Sequence, residues 1–174
     1  MAGDVRSGDA PQPELEGTGM RVAVIAGRFN SHVTTRLLDG AQRRLDALGV
    51  GEHDVTVAWV PGAFEIPAAA RLFANSGRVD AVICIGCVIR GETAHFDHVA
   101  GQCAAGIMRV GLDTGVPVVF AVLTTEDLQQ ALARSEVIAE DGSNDSGGGN
   151  NVGAQGVDVA VEMVMLRRSV SGTA

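Results

Sequence analysis

A cation, a glycine, a hydroxyl and an imidazole stand close together in Arg90-Gly91-Glu92-Thr93-Ala94-His95. They follow an apolar run over residues 79–83 that continues as Cys84-Ile85-Gly86-Cys87-Val88-Ile89. Such a run reads as a buried strand of a parallel sheet. Ligands of such sheets gather beyond the carboxyl ends of the strands. The loop offers what a phosphorylated substrate needs. Gly91 lets the backbone approach closely. Thr93 supplies a hydroxyl and an N–H, Arg90 a fixed cation, and His95 a group that exchanges a proton near neutrality. The same residues also fit an idle surface loop. Neither the Walker phosphate loop nor the dinucleotide fingerprint is present, because the required glycine and lysine spacings are missing.

Two further places could contribute. Phe29, in Gly27-Arg28-Phe29-Asn30, either covers a flat ring or packs against its own helix. Glu65, between Phe64 and Ile66, either accepts ligand hydrogen bonds or is an ordinary helix-start carboxylate. The three cysteines include a CxxC-like pair, Cys84 and Cys87, but their apolar neighbours argue for packed thiols. No second pair completes a zinc set, so no metal is expected.

These residues need a frame. At 174 residues the chain is long enough for one domain with a substantial core. The formal net charge of −8 argues against nucleic acid or an anionic membrane as partner. No secretory signal and no apolar run of membrane-spanning length appears, so a reducing cytoplasm is expected.

Residues 1–19, rich in Gly, Pro and acidic residues, read as a disordered or loosely attached arm. Strands are expected over 20–26, 55–60, 79–83 and 116–123. Val33, Leu37, Ala41, Leu45 and Leu48 form one apolar stripe of a helix capped by Ser31 and ending at Gly49. A second helix follows Ala63-Phe64-Glu65, with Pro67 tolerable near its start. Asp97 is placed to cap a third, carrying Val99, Cys103, Ile107 and Val110. Thr124 and Asp127 have capping-box spacing before Leu128. Residues 136–151 read as a flexible Gly/Ser/Asn insertion, 154–168 as a final helix ending in Arg167 and Arg168, and 169–174 as a tail. Strands alternating with helices specify a single three-layer α/β sandwich with a four-stranded parallel sheet.

Three blocks then stand out in order: Val60-Pro61-Gly62-Ala63-Phe64-Glu65-Ile66-Pro67, Cys87-Val88-Ile89-Arg90-Gly91-Glu92-Thr93-Ala94-His95-Phe96-Asp97, and Phe120-Ala121-Val122-Leu123-Thr124-Thr125-Glu126. Together they resemble the signature of the lumazine synthase family, and the resemblance extends over residues 20–168. It implies flavodoxin-like winding and the penultimate step of riboflavin synthesis. In that step 5-amino-6-(D-ribitylamino)uracil and 3,4-dihydroxy-2-butanone 4-phosphate give 6,7-dimethyl-8-ribityllumazine, phosphate and water. No metal, flavin or nicotinamide cofactor is required.

By the same resemblance, Phe29 stacks on the pyrimidine, and Ala63, Phe64 and Glu65 hold the ribityl chain. Cys87, Val88 and Ile89 line the pyrimidine edge. Gly91, Glu92 and Thr93 contact phosphate, Glu92 through its backbone. His95 carries protons, Arg134 grips the phosphate, and Phe120 reaches the site of an adjacent subunit. Arg90 is either a second phosphate cation or, preferably, an interface salt-bridge partner. The family forms homopentamers, some stacked or built into sixty-subunit shells, and part of the arm can pair with a neighbour's sheet.

Two positions depart from the pattern. Asn151-Val152-Gly153 stands where Asn-Lys-Gly is usual, so Val152 replaces a lysine, and Gln155 is the nearby polar substitute. His98 stands where Tyr is frequent. Extra length before the last helix disfavours shell closure, so a pentamer or two stacked pentamers is expected. The missing lysine supports an alternative, a non-catalytic or weakly active relative that binds flavin or pteridine rings. A purely structural assembly protein and another flavodoxin-like phosphate enzyme are further alternatives.

Overall fold

The computed structural model describes residues 11–136 and 150–172. The expected insertion therefore lies largely outside the described residues, as do residues 1–10 of the arm and 173–174 of the tail. Strands and helices alternate: β1 (Val22–Gly27), α1 (Ser31–Ala47), β2 (Val55–Val60), α2 (Ile66–Ala74), β3 (Ala81–Ile89), α3 (His95–Thr114), β4 (Val118–Thr125), α4 (Leu128–Ala133) and α5 (Val152–Ser171). All strand pairs are parallel, in the order β2-β1-β3-β4. The architecture is the three-layer sandwich that the alternation of elements specifies, with the flavodoxin-like winding that the resemblance implies.

Side chains alternate across the central strands, so each strand feeds both cores. Val24, Ile83, Ile85 and Cys87 pack with Leu37, Val157 and Val161 on the side of α1 and α5. Ile25, Val82 and Cys84 pack with Ile66, Ala70 and Ile107 on the side of α2 and α3. This is why β1 is buried at every position. It also separates Cys84 from Cys87, whose thiols project from opposite faces. Burial pushes the Cys84 thiol far above its ordinary range and the Cys87 thiol up to about 11. Arg44 of α1 bonds Asp158 of α5 at 2.6 Å and links the two helices across their outer surface.

Several element starts differ from the sequence-based expectation, each for a local reason. The cap of α1 is Asn30, not Ser31. Asn30 holds a left-handed backbone with φ 59°, a conformation its short polar side chain tolerates. β3 runs on to Ile89, which puts Cys87, Val88 and Ile89 on the strand rather than in the loop. α3 begins at His95 with Ala94 at the cap, so Asp97 sits in the first turn instead of capping it. Asp127 itself caps α4, accepting from Gln130 N at 2.8 Å, while Thr124 belongs to β4. α5 starts at Val152, because the Asn151 side chain accepts from Ala154 N at 3.1 Å. Of the described part of the arm, Leu15 packs against the core and Gly17 N donates to Leu48 O at 2.8 Å.

Candidate active site

A cleft of about 640 Å³ opens beyond the carboxyl ends of β2, β1 and β3. It lies where the winding reverses, since β2 is added on one side of β1 and β3 and β4 on the other. The loop after β1 is pinned from both flanks. Arg28 N donates to Val60 O at 2.9 Å and Phe29 N to Pro61 O at 3.0 Å, prolonging the ladder with β2. On the other side Asn30 Nδ2 donates to Cys87 O at 3.0 Å. Thr34 Oγ1 donates back to Gly27 O at 2.8 Å. The consequence is that Phe29 stands at the cleft, 72% exposed. Phe64, on the short 3-10 turn Ala63–Glu65, is 58% exposed beside the same space. Two exposed aromatic side chains beside one cleft make an apolar patch of the kind that marks a ligand or protein contact.

The opposite wall is Cys87, Val88 and Ile89, with Ala63 and Glu65 completing the side near β2. Gly91, Thr93 and His95 close the end at the start of α3. An ideal Cβ on Gly91 would meet nothing within 4 Å, so the backbone there faces open space. His95 N points to Thr93 Oγ1 at 3.4 Å. Glu92 is exposed and does not line the cleft. Pro61, Gly62, Phe96, His98 and Val99 do line it, although they are not among the predicted site residues. For His98 a signal was available, because it follows His95 by three residues, and that spacing shares a helix face.

Arg90 is committed elsewhere. Its guanidinium pairs with Glu126 at 2.8 Å and Asp97 at 3.2 Å, and lies 4.1 Å from the centroid of the Phe96 ring. The bond to Glu126 and the nearby Asp97 charge raise its pKa further. These partners belong to its own chain, whereas an interface pair or a phosphate contact was expected. The pairing joins the loop after β3 to the end of β4, where Arg90 N also donates to Thr125 O at 2.8 Å.

Among the described residues, none that lines the cleft is a Lys or Arg. Arg134 lies past the end of α4, exposed, with Nη1 donating to Gln130 O at 3.1 Å. Phe120, on the edge strand β4, is 42% exposed and lines a separate apolar groove with Met108, Leu112, Met163 and Leu166. Its place in an apolar strand run would suit the core, but among the described residues no strand lies beyond β4. One chain thus brings together most of the predicted residues and leaves Glu92, Phe120 and Arg134 outside the cleft lining.

A family model for 6,7-dimethyl-8-ribityllumazine synthase matches residues 19–168. The chain belongs to the lumazine synthase family. As a member of that family it is an enzyme, and its reaction joins ribitylaminouracil to the butanone phosphate to form 6,7-dimethyl-8-ribityllumazine. Lumazine synthases bind small-molecule substrates and assemble as oligomers, and this member shares both properties. Among the described residues no helix is long and apolar enough to cross a membrane.

Proposed function

We propose that the cleft between Phe29, Phe64 and His95 is the reaction chamber and that a neighbouring copy completes it with Phe120 and Arg134. The observation that carries this reading is the charge of the cleft. Its walls suit a flat ring and a proton carrier, but among the described residues no Lys or Arg, and so no fixed cation, lines it. A phosphorylated reactant needs a cation, and the free face of Arg134 lies elsewhere on the chain surface.

In this reading Phe29 stacks on the pyrimidine, whose edge meets Cys87, Val88 and Ile89. Ala63, Phe64 and Glu65 hold the ribityl chain. The N–H groups of Gly91, Glu92 and Thr93 and the start of α3 face the phosphate, where a helix amino terminus favours negative charge. The neighbour's Arg134 adds a planar fork of donors matched to phosphate oxygens. The amine attacks the ketone and one water leaves as the imine forms. Phosphate then departs, and the second nitrogen closes the ring with loss of another water. His95 takes and returns protons through these steps. The rest of the acceleration is orientation, because two reactants are held at contact distance in one chamber.

The assembly is a homopentamer or two stacked pentamers in the cytoplasm. The groove holding Phe120, Met108, Leu112, Met163 and Leu166 is an apolar face of the kind a neighbouring copy covers. The test is complementation. Oligomers of His95→Ala alone and Arg134→Ala alone are expected to form little fluorescent lumazine. Co-assembled from both chains, they should regain activity, because some interfaces then carry neither defect. Failure of mixed oligomers to recover would overturn the shared site.

A further inference from the structure

We propose that Asn151, acting together with Arg36, is a positioning residue that sets where Arg134 points. The inference rests on the reading that Arg134 grips the phosphate. Arg134 follows a helix of six residues and is itself exposed, so its own side chain does not anchor the backbone. A polar clasp holds the chain on its far side. Val152 N donates to Arg134 O at 2.9 Å. The next residue, Ser135, is fully buried and pairs with Asn151 in an isolated antiparallel bridge. Ser135 O accepts from Arg36 Nε at 2.8 Å. Asn151 Nδ2 donates both to Arg36 O at 3.1 Å and to Glu136 O at 2.9 Å, while Oδ1 accepts from Ala154 N.

A helix cap needs only the oxygen of this side chain, and Ser or Asp would serve. The amide N–H₂ does something else, tying α1 to the segment just after Arg134. Asn151 is 0% exposed and both of its N–H bonds are used. Room has been left for it, since a Cβ on Gly40 would collide with the Asn151 carboxamide. The arrangement also gives Val152 a part. Its side chain supplies no cation, but its N–H holds Arg134 in place, so the departure from lysine leaves the clasp whole.

The test is steady-state kinetics of the assembled enzyme, varying each substrate separately. Asn151→Ser keeps the cap and removes both N–H donors. It should raise KM for the butanone phosphate about tenfold, the scale of one spoiled bond to a charged group, and move KM for ribitylaminouracil less than about twofold. In an Arg134→Ala background it should add nothing, since the two changes break one interaction. Inhibition by inorganic phosphate should weaken in parallel. Should Asn151→Ser fail to fold, Arg36→Gln is expected to give the same pattern at smaller size. Equal rises in both KM values, or losses additive with Arg134→Ala, would overturn the proposal. If Arg134→Ala itself leaves KM for the butanone phosphate unchanged, the phosphate reading fails and takes this inference with it. If only the Asn151 and Arg36 variants are silent, the clasp alone is wrong.

Discussion

At the cleft, Phe29, Phe64, Gly91 and His95 are open to solvent, and the His95 loop is tied down at its Arg90 end while His95 N reaches Thr93 Oγ1 at 3.4 Å. At the Arg134 corner, Asn151 and Ser135 are wholly buried and their polar groups are paired. The glycines show the same contrast. Beside Gly91 a Cβ would meet nothing within 4 Å, whereas on Gly153 it would run into the backbone carbonyl of Leu37. The difference teaches how the work is divided. In the proposed reading one wall is left for the ligand and a neighbouring copy to complete. The other is fixed in advance, which suits a group that must place a charge.

The sharpest way to break the contrast is at its rigid end. Gly153→Ala forces a methyl group against backbone, which cannot rotate away. It should cost about 3 kcal/mol of stability, the upper part of the usual overpacking range. A thermal or denaturant melt of the assembled protein reads this directly. An unchanged melt would mean that α1 and α5 can separate cheaply, and the corner would not be rigid. Next comes the chemistry of the open end. His95→Gln should lower kcat about a hundredfold while leaving the fold intact, the lower range for a proton-transferring group. Product fluorescence after mixing both substrates measures it. Full retention would leave His95 a bystander and the cleft a purely orienting chamber.

Arg134→Ala should cost about 2 kcal/mol in kcat/KM for the phosphorylated substrate, the value of a charge-assisted bond lost. It should leave binding of a ribityl-pyrimidine analogue unaltered, as read by calorimetry. If both ligands weaken equally, the corner would be supporting the whole cleft, not placing one charge.

The fold was readable because its signals are periodic. The stripe from Val33 to Leu45 and the strand-like runs need only burial to be explained, and burial is what the structure imposes. The missed starts differ in cause. Ser31, Asp97 and Thr124 are good caps in isolation, but Asp127 wins by a local bond to Gln130 N, Ala94 caps without any side-chain bond, and Asn30 is held from a distance. Asn30 is instructive, because its amide reaches across to β3 and so no periodicity could announce it. The candidate cleft was legible in two of the three local blocks, since its lining comes almost wholly from residues 61–65 and 87–96 and from Phe29, while the third block lies outside it. The clasp was not legible. Arg36, Ser135 and Asn151 are far apart in sequence and ordinary one by one, and only the packing of α1 on α5 brings them together.

Cys87 offers a way to probe the closed side of the open wall. Burial pushes its thiol up to about 11, so the protonated form dominates at neutral pH. The thiolate is the reactive species. Alkylation by iodoacetamide should therefore be slow near neutrality and accelerate as pH rises toward that value, with a ribityl-pyrimidine analogue slowing it further. Rapid modification at neutral pH would show that β3 opens to solvent at its carboxyl end.

The smallest expected effect completes the comparison. Gly91→Ala adds a methyl group to open space, so stability should stay within about 0.5 kcal/mol of the parent, as for other unconstrained surface positions. Catalysis should respond all the same. If the butanone phosphate lies against the Gly91 backbone, the methyl group occupies the approach and KM for that substrate rises while the melt does not move. Loss of stability would mean that the loop is as tightly packed as the corner. Unchanged stability with unchanged KM would mean that the phosphate does not come near Gly91, and that the N–H donors must be sought further along the start of α3.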